Sequence, residues 1–281
     1  MKKLIAIFGV LAFTAGMAFG QGNIADVYQK NDGHEATVEQ TGSINEAIIE
    51  QVAYNDVVEV TQNGTNNKAE VWQGNENYHT GTSWNSRAYI DQVGSDNTAD
   101  VTQRLWTGSQ RNIATINQDG TNNHAEQDLT NGARALIDQK GEDNQAFQFL
   151  NTNYRINRGT IYQEGDGNWA KQTQGSTDLV AITHQFGNDN IAETDQTGTG
   201  NTAKISQGWE IDEWEDVDYQ GELESDLNNA KITQHDSYNY GVIGQFGDSN
   251  NAEIMQSAND NHAIIMQLGN SNTANVTQSA Y

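Results

Sequence analysis

Six histidines, a run of acids and a large store of amides are the residues of this chain with chemistry to offer, and their spacing decides which can act. His34, His79, His124, His184, His235 and His262 never fall into a close pair. A zinc site built on imidazoles needs them at short, regular offsets, so these six read as substitutions within strands and turns. Nine acids between residues 210 and 226, with Trp209, Trp214 and Tyr219 beside or among them, have the charge to attract calcium. Neither the EF-hand order nor the Gly-Gly-x-Gly-x-Asp roll is present, and the segment reads as a solvated acidic loop. The absence of Cys removes disulfides and thiolate metal or redox chemistry. No Gly-x-Ser-x-Gly element or phosphate loop occurs, and the scattered carboxylates define no acid–base pair. No cofactor motif is left, and an enzyme built on a parallel β-helix would lack a designated catalytic group.

The amides are different, because they recur. Asn and Gln number 60 of the 281 residues, and Gln stands at 29, 40, 51, 62 and 73, at 92 and 103, at 163, 174, 185, 196 and 207, and at 234, 245, 256, 267 and 278. Within each run the spacing is eleven; Gln118 and Gln139 belong to the same series, which makes 19 units. Ala lies four residues before the Gln in 16 of them, Ile or Val two before in 16, and Asn six before in 14. These four positions share one parity, so in an extended chain they face the same way. An apolar spacing of two excludes helices.

Gly follows two residues after every second Gln, at Gly42, Gly64, Gly94, Gly120, Gly141, Gly165, Gly187, Gly247 and Gly269, which doubles the period to 22; Gly198 adds a turn glycine of the same kind. Degenerate units centred on Leu129 and Leu150 keep the upstream Asn123, Ala125, Asn144 and Ala146, giving about 21 half-units. Periods of this size mean a solenoid. The expected fold is therefore all-β: a cross-β solenoid of strand-turn-strand rungs of 22 residues, with two facing parallel sheets and acidic loop insertions. Ala and Ile/Val should fill a thin interior. Around them Gln40, Gln51, Gln62, Gln73, Gln92, Gln103, Gln163, Gln174, Gln185, Gln196, Gln207, Gln245, Gln256, Gln267 and Gln278 should stack as amide ladders. Asn45, Asn67, Asn97, Asn168, Asn190, Asn201, Asn250 and Asn272 should do the same, satisfying groups that would each cost about 1–3 kcal/mol if buried unpaired. The complete lack of Pro agrees, since proline cannot donate to a strand ladder.

Residues 1–20 stand outside this pattern. Lys2 and Lys3 precede an apolar run over residues 4–18 that ends in Ala18-Phe19-Gly20, which reads as a secretory signal peptide cleaved after Gly20. The run is short for a membrane span, and no second apolar segment follows. Residues 21–281 then form one repeat solenoid with a net charge of −26, interrupted near 74–85, 104–108 and 208–226 by loops at turns. That charge argues against nucleic acid as a partner, because phosphate contact needs clustered Lys and Arg.

The unit Gln-x-Gly-x-x-Asn-x-Ala-x-x-x-Gln is complete from Gln40, Gln62, Gln92, Gln163, Gln185, Gln196, Gln245 and Gln267. It resembles the repeat of the curlins, subunits of the bacterial curli amyloid fibre. The resemblance implies a secreted subunit that folds as a β-solenoid while adding to a fibre, with roles in surface adhesion and biofilm matrix. It also implies self-association, a curli-like nucleator and outer-membrane secretion machinery as partners. The family's Ser six before the first Gln is kept at Ser86, while His34, Asp56, Asn157 and Asn239 take that slot elsewhere. The alternative is a monomeric secreted solenoid acting as an adhesin or glycan-binding module. Soluble solenoids need atypical caps, whereas the first unit (Asn23, Ala25, Val27, Gln29) and the last (Asn272, Ala274, Val276, Gln278) both fit the consensus.

Overall fold

The structure, a computed structural model, describes residues 22–52, 54–74, 85–104, 111–152, 156–208 and 225–279. The proposed signal peptide and nearly all of the three insertions lie outside these residues. Every described element is a strand. One sheet holds β1 (Ile24–Gln29), β3 (Glu46–Gln51), β5 (Lys68–Gly74), β7 (Thr98–Arg104), β9 (His124–Thr130), β11 (Gln145–Asn151), β13 (Trp169–Gln174), β15 (Ile191–Gln196), β17 (Asn229–Gln234), β19 (Asn251–Ser257) and β21 (Thr273–Ser279). The other holds β2 (Glu35–Ser43), β4 (Val57–Thr65), β6 (Arg87–Ser95), β8 (Ile113–Thr121), β10 (Arg134–Glu142), β12 (Arg158–Glu164), β14 (Val180–Phe186), β16 (Thr202–Gln207), β18 (Tyr240–Phe246) and β20 (His262–Leu268).

Each strand pairs in parallel with the strands two before and two after it, so the chain climbs as a solenoid of about ten turns. The expected all-β solenoid with two facing parallel sheets is the architecture found. Among the described residues no helix is long and apolar enough to cross a membrane.

Equivalent repeat positions sit on one another. Ala47 pairs with Ala69 and Gln51 with Gln73 in one sheet, and Val38 with Val60 and Gln40 with Gln62 in the other. Insertions do not slip this register: Gln73 still meets Gln103, and Gln196 still meets Gln234. A one-residue slip would turn every inward side chain outward, and the closure cost of a longer loop grows only slowly with its length.

Alternation along each strand puts Ala and the β-branched residue inside. Ala47, Ile49, Val58, Val60, Ile116, Ile137, Ile161, Ile232 and Ile254 are all at most 1% exposed. A fully buried aliphatic side chain of this size stabilises by about 1.5–3 kcal/mol, and the small Ala lets the sheets approach.

A glycine with positive φ lies near the end of β2, β4, β6, β8 and β10 and just after β12, β14, β18 and β20. Gly64 has φ +139°, and a β-carbon there would sit against the carbonyl oxygen of Gly94 one rung on. The Asn or Asp two residues later, for example Asn66, Asp96, Asn122 and Asp143, also has positive φ, which short polar side chains tolerate best.

Candidate functional site

The candidate site is a set of columns running the length of the molecule. Along the even sheet one Gln ladder is unbroken from Gln40 through Gln62, Gln92, Gln118, Gln139, Gln163, Gln185, Gln207 and Gln245 to Gln267. Each Nε2 donates to the next Oε1 at 2.8–3.0 Å. The other hydrogen of the same nitrogen crosses to the opposite sheet, as from Gln62 to the Glu46 carbonyl at 2.9 Å or from Gln207 to the Ile191 carbonyl at 2.9 Å. One side chain thus ties two rungs and both sheets together.

The odd sheet carries the same ladder in two pieces, Gln29–Gln51–Gln73–Gln103 and Gln174–Gln196–Gln234–Gln256–Gln278. Between the pieces Leu129 and Leu150 fill the Gln column, and the amides move two residues earlier along the strand. Gln127 donates to Gln148 at 2.9 Å, Gln148 to Gln172 at 3.0 Å, and Gln172 to Thr183 Oγ1 across the core at 3.1 Å. Gln127, Gln148 and Gln172 are fully buried. Two acceptors, Gln127 Oε1 and Gln174 Oε1, have no partner. Both stand where a ladder begins, with Val101 and Leu150 on the preceding rungs. The thin interior expected from Ala and Ile/Val is therefore interrupted at mid-length by a polar segment. Gln127 and Gln148 share the inward parity of Ala125 and Ala146, and that parity was the available signal.

The Asn column of the odd sheet is continuous. The backbone N–H of Asn45 donates to Asn23 Oδ1, that of Asn67 to Asn45, and so on through Asn97, Asn123, Asn144, Asn168, Asn190, Asn228 and Asn250 to Asn272, at 2.8–3.1 Å. The Nδ2 atoms reach the glycine carbonyls of the next rung, as from Asn45 to Gly64 at 3.1 Å and from Asn67 to Gly94 at 3.0 Å. Asn201, in the even sheet, accepts from the Asn239 N–H at 2.8 Å. The glycines named above at Gly42, Gly64, Gly94, Gly120, Gly141, Gly165, Gly187, Gly198, Gly247 and Gly269 all have positive φ. Buried amides linked in chains polarise one another, and each would be costly to leave unpaired.

The hydrogen-bond direction gives the stack a polarity. Gln29 and Gln40 donate onward, but no described residue donates to their Oε1. At the far end Gln267 and Gln278 accept from Gln245 and Gln256 and spend one Nε2 hydrogen on the Asn251 and His262 carbonyls. Their second hydrogen has no partner among the described residues. One end of the solenoid thus presents amide acceptors and the other amide donors.

The outward columns carry charge. Glu70, Asp100 and Glu126 stand on successive rungs; burial first, then the two neighbouring carboxylates, raise the Asp100 carboxyl above its ordinary range. Among the described residues no three His, Asp or Glu side chains gather to hold a cation. The histidines are spread along the stack: His124 lies beside Phe147, His184 beside Tyr162, and His262 stacks on Tyr240. The acids of residues 210–224 lie outside the described residues.

The curlin-associated repeat matches the chain at residues 20–52, 81–104 and 247–279. No curated protein matches it.

Proposed function

We propose that this curlin-repeat protein is a secreted, self-assembling structural subunit of a curli-like extracellular amyloid fibre that serves surface adhesion and biofilm matrix. Curlins are structural subunits of surface-associated fibres, and the three curlin-associated repeat matches support this reading. The observation that carries the reading is the polarity of the ladders. An end that offers Gln Oε1 acceptors and an end that offers Gln Nε2 donors, in the same two columns, suit another copy of the chain as the next layer. Edge strands with unpaired ladder groups are templates for such addition. In this reading the Gln and Asn columns hold the register of each added layer, and the positive-φ glycines let the turns stack. Residues 1–20 direct export, and a nucleator and outer-membrane secretion machinery start and place the fibre.

The test is assembly of the purified chain lacking residues 1–20. Fibres with a meridional reflection at about 4.7–4.8 Å, forming after a lag that seeds abolish, are the expected result. A chain that stays monomeric at high concentration near neutral pH, seeded or not, would overturn the proposal in favour of a monomeric adhesin or glycan-binding module.

A further inference from the structure

One column departs from the amide pattern. In the even sheet the slot six residues before the ladder Gln is held by His34, Asp56 and Ser86 on three successive rungs, ahead of β2, β4 and β6. His34 imitates an Asn. Its Nε2 donates to the Lys30 carbonyl at 2.9 Å, and its Nδ1 accepts the Asp56 N–H at 3.4 Å. Asp56 Oδ1 accepts the Ser86 N–H at 2.9 Å, as an Asn Oδ1 would.

Its other oxygen has no such counterpart. Asn112, Asn157 and Asn201 occupy the same slot on later rungs and use Nδ2 as a donor to two backbone carbonyls each, at 2.6–3.2 Å. Asp56 puts Oδ2 where they put that nitrogen. Oδ2 is buried without a hydrogen-bond partner among the described residues, 3.8 Å from His34 Nδ1, with both side chains 1% exposed. Among the described residues no Lys or Arg pairs with it. Gln51 and Gln73, from the opposite sheet, bond the Glu35 and Val57 carbonyls beside it and are uncharged. Glu35 and Arg87, the charged neighbours in sequence, are exposed. Ser86 Oγ, on the rung above, is a second buried atom without a partner.

We infer that Asp56 is carried in the fold as the neutral acid, its proton taking the donor role of the Asn Nδ2, and that loss of this proton loosens the layers formed by β2, β4 and β6. Burial drives this carboxyl from its ordinary 3.8 up to about 7, against the opposing pull of the Ser86 N–H. Between those values the folded layers hold a proton that the opened chain does not. Opening therefore becomes more favourable as pH rises, by up to about tenfold per unit, and levels off once the folded acid is itself ionised. The device acts whether the solenoid is single or stacked in a fibre.

Hydrogen exchange of the full chain, read by mass spectrometry at pH 5 and pH 8 and corrected for intrinsic rates, tests it. Residues 35–65 should lose protection by about a hundredfold at pH 8, while residues 240–268 serve as the internal reference. Asp56→Asn, which restores the amide found on later rungs, should abolish the loss, and His34→Asn should retain it. The inference fails if residues 35–65 and 240–268 change in step, if Asp56→Asn keeps the loss, or if His34→Asn removes it.

Discussion

Replacing Asp100 by Asn should stabilise the solenoid, and the size of the gain follows from the stacking. Asp100 projects outward from β7, half-buried between Glu70 on β5 and Glu126 on β9. Strands in a sheet lie about 4.8 Å apart, so each neighbouring carboxylate is held at about 5 Å. Coulomb's law gives about 0.8 kcal/mol per pair in the dielectric of water, or about 1.7 kcal/mol for the two neighbours together. Screening with a Debye length of about 8 Å at physiological salt leaves about 0.9 kcal/mol, while about 1.4 kcal/mol survives at 10 mM salt and about 0.3 kcal/mol at 1 M. Lys68, 2.6 Å from Glu70, offsets part of this, so these figures are ceilings.

The pH dependence has a definite sign. Because the folded carboxyl is raised, its ionised form is the one that costs stability. The advantage of Asn should be absent near pH 3, grow as pH rises through the raised carboxyl range, and be complete at pH 7.5. Guanidinium is itself a salt, so urea unfolding midpoints at three ionic strengths are the appropriate measurement. A variant no more stable than the parent at 10 mM salt and pH 7.5, or a gain that does not shrink with added salt, would refute the claim that stacked carboxylates limit stability.

Other positions separate the columns from the surface. Ile254→Lys or Gln256→Lys should destabilise by about 3 kcal/mol or more, since each buries an unpaired charge and the second also breaks a ladder. Glu253→Lys, outward and above Lys231, should stay within about 1 kcal/mol of the parent; the reverse order in urea unfolding would mean that the inward face is misassigned. Gly64→Ala should cost about 2 kcal/mol or more, whereas Gly175→Ala, whose β-carbon would meet Thr197 at 3.6 Å, should be nearly neutral. Leu129→Gln and Leu150→Gln should each destabilise, but a double-mutant cycle should show about 1 kcal/mol of favourable coupling, because only the pair connects Gln103 to Gln174.

The fold was legible because stacking converts sequence position into spatial position. With a side-chain period of two and a rung of 22 residues, parity says which way a residue faces and repeat position says what lies above and below it; that is why Ala47 on Ala69 and Gln51 on Gln73 follow from the spacing. What parity does not fix is which of two inward slots an amide takes. Gln127 and Leu129 both point inward, and their order reverses that of Val101 and Gln103 one rung earlier. On β7, β9 and β11 either arrangement keeps one amide and one aliphatic side chain buried beside the Ala. The reversed order ends in the structure on Thr183, a partner from the opposite sheet, and the cross-core neighbour is the one relation that an eleven-residue beat does not encode. Asp56 marks a second limit of the same kind. Its slot is readable from its distance to Gln62, but its protonation state depends on its being enclosed between His34 and Ser86 without a donor for Oδ2. A repeat therefore reveals the columns, while the chemistry of a column is set by whichever rung breaks its pattern.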